Sequence, residues 1–171
     1  DALSFLWVTD FPLFSWNDDT DRWDPEHHMF TMPKKETLEY LEKDSFDPGK
    51  VVADSYDLVL NGVELCSGSV RITNPEIQKK VMNVVSYTDE EIKDRFGFLL
   101  DIYQYGAPPH AGFGLGFDRL VTLLLGYDDI REVIAFPKNK SAQSLVDNCP
   151  AQITEKQMKE LKLRLDVVKR K

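Results

Sequence analysis

Gly112-Phe-Gly-Leu-Gly-Phe-Asp-Arg-Leu-Val-Thr-Leu-Leu-Leu-Gly126 carries two periodicities in one stretch. Glycine alternates with apolar residues up to Gly116, which is the period of a strand, and Leu120–Leu125 then reads as a helix stopped by Gly126. Alternate glycines strip one face of a strand of side chains, so a flat ligand can lie against the backbone. Arg119 falls at the strand–helix junction, where its planar guanidinium can stack on a base or grip phosphate oxygens. The alternative is a glycine-rich strand packed tightly against a helix.

Outward from this stretch, the strongest short-range signal is Asn61-Gly62, set between the apolar runs Val51–Leu60 and Val63–Ile72. Asn-Gly between such runs marks a two-residue hairpin turn. Regular pairing from that turn places Val59 opposite Glu64 and Asp57 opposite Cys66. Asp57 and Glu64 then share a face as diagonal neighbours, roughly 7 Å apart at the backbone. Two carboxylates so placed can hold a hard divalent cation, or can simply face solvent.

Helices follow the hairpin. Asn74 caps and Pro75 opens a helix whose apolar stripe is Ile77, Val81, Val84 and Val85. Thr88-Asp-Glu-Glu91 is a capping box opening a second helix to about Gln104, with Ile92, Phe96, Leu99, Leu100 and Tyr103 inward and Gly106 ending it. A second box, Thr154-Glu-Lys-Gln157, opens a terminal helix with Met158, Leu161, Leu165 and Val168 inward. Ahead of the hairpin, Ser4–Phe14 reads as a strand ended by Pro12, and Ser15–Glu26 as a polar loop. Phe30–Met32 reads as a short strand, Lys35–Lys43 as a short helix and Asp44–Lys50 as a loop. Ile130–Phe136 fits a strand or a helical turn. Hairpin-linked strands and separate helices predict an α+β fold, with an antiparallel sheet flanked by helices.

A chain of 171 residues suffices for one domain with its own core. The net charge of −8 argues against a protein whose main task is gripping nucleic-acid backbone. The small basic clusters Lys34-Lys35, Lys79-Lys80, Lys138-Asn-Lys140 and Lys169-Arg-Lys171 read as solvated surface. No apolar run is long enough to span a membrane. Two cysteines, Cys66 and Cys149, make no disulfide framework, so a cytoplasmic, reducing setting is expected. Cys66 reads as a small buried residue, and Trp7, Trp16 and Trp23 as core or loop packing.

The glycine-rich strand–helix resembles motif 3 of class II aminoacyl-tRNA synthetases, the ATP-binding element of that fold. Five further stretches, in order, resemble the second half of the catalytic domain of bacterial-type aspartyl-tRNA synthetases. These are His27-His-Met-Phe-Thr31, Tyr56–Glu64 with Ser67–Ile72, Phe96-Gly-Phe-Leu-Leu100, Gly106-Ala-Pro-Pro-His-Ala-Gly112, and Asp129–Lys138. The resemblance implies activation of L-aspartate by ATP with Mg²⁺, and transfer of the aspartyl group to tRNA(Asp), by a homodimeric parent enzyme. It implies aspartate contacts at His27 and Arg71, and catalytic roles for Arg71, Arg119 and Glu64. ATP contacts fall at Glu64, Gly116, Phe117, Asp118 and Arg119, and Mg²⁺ at Asp57 and Glu64. His110, after Pro108-Pro109, reads as structural, placing the loop before motif 3.

Two departures stand out: Met29 replaces a proline frequent after the paired histidines, and Cys66-Ser67 stand where glycines are common. The anticodon-binding barrel, motif 1, inserted domain and motif 2 of that family, the last supplying an arginine and an aromatic platform for ATP, are not recognised within these residues, so the chain reads as a piece of a longer enzyme, inactive in isolation. A synthetase-like paralogue that forms an amide or modifies a protein, and a non-catalytic interaction module, remain the alternatives. The shared site raises a problem of parity. Glu64 and Arg71 are seven apart and would face opposite ways on a regular strand. The sequence therefore predicts a β-bulge or equivalent irregularity between Cys66 and Ser69, where Gly68 tolerates the dihedrals a bulge can require.

Overall fold

A computed structural model describes residues 2–164. The chain forms two compact units, one ending at Leu120 and one beginning at Val121. The first holds a four-stranded antiparallel sheet, ordered β1 (Phe5–Thr9), β4 (Ser55–Leu60), β5 (Val63–Val70) and β6 (Ala111–Leu115). Asn61 and Gly62 both take positive φ, 50° and 84°, the mirror-image turn that the Asn-Gly pair predicts. Helices α1 (Pro75–Val84) and α2 (Asp89–Gln104) follow, then α3 (Phe117–Leu124), which continues into the second unit.

The caps form as the sequence predicts. The Asn74 side chain accepts from Glu76 and Ile77 N–H at 2.8 and 3.2 Å, and Thr88 and Glu91 satisfy each other's backbone donors. The core lies against α1 rather than under the sheet. Leu13, Phe14, Leu41, Val51, Ala53, Ile72, Val81 and Val85 are buried together. On α2 only Ile92 is fully buried, and the rest of its predicted stripe is half-buried.

Several expectations need correction. The first strand stops at Thr9 because Asp10 turns the chain at φ 64°, before Pro12 is reached. The supposed loop Ser15–Glu26 is a hairpin, β2 (Phe14–Asn17) against β3 (Arg22–Pro25). It is fastened by an edge-to-face pair, Trp16 on Trp23, at 5.4 Å. Phe30–Met32 pairs only through Thr31, bridged to Arg71. Lys35–Leu41 is a 3₁₀ helix, and Pro48–Lys50 forms another 3₁₀ turn. Trp7 and Trp16 are exposed, so neither is core.

The bulge exists, but not where predicted. Leu58 pairs with Cys66 and Val59 with Glu64, so Leu65 is the extra residue, and Asp57 faces Ser67 rather than Cys66. The carbonyl of Leu65 accepts the Gly116 N–H at 2.7 Å, a bond made by a residue outside the β4 ladder, and its side chain is buried. Gly68 sits in regular pairing, and close packing demands it. A Cβ there would lie 2.4 Å from the Gly112 carbonyl and 2.6 Å from the Tyr56 ring.

The second unit contains a 3₁₀ turn at Ile130–Glu132, an isolated bridge between Lys138 and Ser144, and α4 (Glu155–Glu160) opened by the Thr154–Gln157 capping box. α4 is shorter than expected. Met158 is half-buried, Leu161 is exposed, and the Leu165 and Val168 expectations lie outside the described residues. Among the described residues no helix is long and apolar enough to cross a membrane.

Candidate functional site

With the bulge at Leu65, side-chain alternation puts Asp57, Glu64, Ser67, Ser69 and Arg71 on one face of the sheet. Gly112 pairs with Ser69 and Gly114 with Ser67, so the bare positions of β6 fall on that same face. Without the bulge Glu64 would keep Asp57 on its face but point away from Ser67, Ser69 and Arg71.

At one end lies a cavity of about 540 Å³ lined by His27, His28, Thr31, Ser55, Ser67, Ser69 and Arg71, and by Gly112–Gly114. Arg71 is anchored at its backbone, donating its N–H to the His110 carbonyl at 3.0 Å. Its guanidinium Nη1 donates to Nε2 of His28 at 2.8 Å. The other ring nitrogen, Nδ1, accepts the Phe30 N–H at 3.3 Å and lies 3.3 Å from Thr31 Oγ1, an acceptor role that only a neutral ring can fill. Burial first, and the Arg71 charge second, hold the His28 pKa below its ordinary value, favouring that neutral ring. The histidine loop is pinned from behind by Gln78 of α1, whose Nε2 donates to the Met29 carbonyl at 2.7 Å.

His27, the histidine singled out from the sequence, is exposed. Its ring meets Phe11 edge-on at 5.3 Å, and it borders the cavity without touching Arg71. His28, Thr31, Gln78 and the three serines were missed. The serines recur at period two with Asp57 and Arg71, a signal readable only once the bulge is known. The ring Nδ1 of His110 lies 2.9 Å from the Pro108 carbonyl, a contact within its own loop.

The other end of the face holds Glu64, Asp57 and Arg119, none of which lines that cavity. Arg119 folds back from the start of α3 and donates to the Glu64 carbonyl at 3.0 Å, with its carboxylate at 3.5 Å. Gly116 makes room for this turn, since a Cβ there would sit 3.3 Å from Arg119 Cδ. Phe117 and Asp118 open α3. Asp57 Oδ1 is buried without a hydrogen-bond partner, a state that a cation or a donor would relieve. No cluster of three or more His, Cys, Asp or Glu occurs among the described residues. Mg²⁺ on nucleotide phosphates needs just one or two protein carboxylates, so this pair fits it.

The profile of tRNA synthetases class II (D, K and N) matches residues 1–140. The chain belongs to this family. An aspartate–tRNA(Asp/Asn) ligase of Treponema pallidum is 50% identical over 98% of the chain, and an aspartate–tRNA ligase of Macrococcus caseolyticus 49% over 96%. The chain spans 27% of the length of each. Among solved structures, an aspartyl-tRNA synthetase of Entamoeba histolytica matches with a TM-score of 0.57 and 26% identity, over 80% of this chain and 23% of that one. The class II family thus accounts for the antiparallel sheet and its helices.

Proposed function

We propose that this chain is the C-terminal part of the catalytic domain of an aspartate–tRNA ligase. The longer enzyme joins L-aspartate to ATP as aspartyl-adenylate and passes the aspartyl group to tRNA(Asp). The names of the relatives support the substrate class. The observation that carries the reading is the bulged register, which sets Arg71 and Glu64 on one face despite their seven-residue spacing.

The chemistry follows from charge. A carboxylate oxygen of aspartate attacks the α-phosphorus of ATP, and the bond to pyrophosphate breaks. A hydroxyl of the terminal tRNA ribose then attacks the acyl carbon, and AMP leaves. Both first reactants are anions, so the site must offset their repulsion and hold them in line. Arg71 offers a fork for the side-chain carboxylate, with His28 fixing one of its nitrogens. Arg119, with Gly116, Phe117 and Asp118 at the helix start, orients the nucleotide. Mg²⁺ held by Glu64 and Asp57 would neutralise phosphate charge. An amide in place of the carboxylate would leave Arg71 partly unpaired, which disfavours asparagine.

The test is Arg71→Gln in the full-length enzyme, assayed by aspartate-dependent ATP–pyrophosphate exchange. Removing one partner of a buried charge pair costs about 3–5 kcal/mol, a loss of some hundredfold or more in specificity constant. A value within about threefold of the unsubstituted enzyme would overturn the role of Arg71.

A further inference from the structure

Ser55 and Ser69 are direct partners across β4 and β5, and both line the cavity beside Arg71. They are 6% and 3% exposed, and neither hydroxyl has a hydrogen-bond partner. Two unpaired hydroxyls in one cross-strand pair are costly to a fold that gains nothing from them, because buried polar groups are ordinarily satisfied. Alanine fits either position, so packing does not require the hydroxyls. Their row lies two residues along the strand from Arg71, on the same face, roughly 7 Å away at strand rise. Gly112, the third member of the row, adds no side chain to cover them.

We propose that Ser55 and Ser69 bind the amino acid's side-chain carboxylate together with Arg71. The inference rests on the ligase reading above and extends its aspartate subsite by two residues. A carboxylate has four acceptor sites, more than one guanidinium edge fills. With one Arg71 nitrogen already given to His28, the serine hydroxyls supply the remaining donors. A phosphate group would be drawn instead toward Arg119, and the carboxylates Asp57 and Glu64 on the far side of the row repel an anion that arrives without a cation.

The experiment uses the full-length enzyme with Ser55→Ala, Ser69→Ala and the double substitution. Pyrophosphate exchange is measured with aspartate varied at saturating ATP, then with ATP varied at saturating aspartate. Thermal unfolding is followed without substrates. Each alanine is expected to raise the KM for aspartate about tenfold, the size of one hydrogen bond to a charged group, while the KM for ATP stays within about twofold. The unfolding temperature should hold or rise, because an unsatisfied buried hydroxyl is removed. An aspartate KM within about twofold in the double variant would overturn the assignment, as would equal rises for both substrates. So would a fall in unfolding temperature with unchanged aspartate KM, the mark of a structural pair. Failure of the ligase reading itself looks different: the unsubstituted enzyme would show no aspartate-dependent exchange, and both inferences would fall together.

Discussion

His28 and Arg71 form a donor–acceptor pair that works in one protonation state. A neutral imidazole accepts from the guanidinium, whereas an imidazolium beside it is a like charge with no lone pair to offer. Arg22, Asp24, Glu91 and Arg95 line the cleft on the other side of His28, with His27 adjacent. Two of these five are carboxylates, yet burial and Arg71 still dominate and lower its pKa from the ordinary 6.5. The folded value is depressed, so between the two pKa values the unfolded chain binds the proton and the folded one does not. Stability from this group is therefore complete above about 6.5 and is lost as pH falls through the folded value. The functional counterpart is a rise in the KM for aspartate over the same descent, while the KM for ATP stays level. His28→Asn, which cannot titrate, should flatten that profile. A profile that keeps its shape in the variant would remove His28 from aspartate binding.

At the scale of elements, two sets of glycines separate two reasons for glycine. Gly68 is enclosed, and a Cβ there would strike the Gly112 carbonyl, the Tyr56 ring and Phe113 Cβ, the last at 2.7 Å. Gly112 and Gly114 are open, with nothing within 4 Å of an added Cβ. Gly68→Ala should therefore lower stability by about 1–3 kcal/mol, as overpacking does, read as a shift in denaturant midpoint. Gly112→Ala and Gly114→Ala should leave the midpoint unchanged yet weaken substrate binding, because the methyl enters the face where substrates lie. Unchanged kinetics in both open-strip variants would mean that the bare strip serves no ligand.

The sequence could not tell these glycines apart, since the alternation predicts the strip while the β5 register decides what faces it. The same limit explains the misplaced bulge. Parity demands one extra residue, and the dihedral freedom of Gly68 points to Cys66–Ser69, whereas the extra residue is Leu65, whose carbonyl meets Gly116 across the sheet. The caps at Asn74 and Thr88 and the Asn61-Gly62 turn were legible because their chemistry is local. The β2–β3 hairpin was not, because its closure depends on one Trp–Trp contact between polar flanks.

For the molecule as a whole, the core and the proposed chemistry have different requirements. Every member of the buried cluster lies between Leu13 and Val85, so the first unit holds its own core. The candidate site is less self-contained. Asp57 Oδ1, Ser55 Oγ and Ser69 Oγ are buried without partners. On the opposite face of the sheet, Phe5 and Trp7 on one edge strand and Phe113 and Leu115 on the other are exposed, apolar side chains that favour association. Relatives carry nearly three-quarters of their length beyond the matched part, where the family resemblance puts the motif 2 arginine and aromatic platform for ATP. The isolated chain is therefore expected to fold and unfold cooperatively, to associate as its concentration rises, and to show no ATP–pyrophosphate exchange. Thermal unfolding, sedimentation across a concentration series, and exchange beside the full-length enzyme measure the three. Exchange near the full-length rate would show that Arg71, Arg119 and Glu64 suffice without the platform, and would move the nucleotide's main contacts onto this chain.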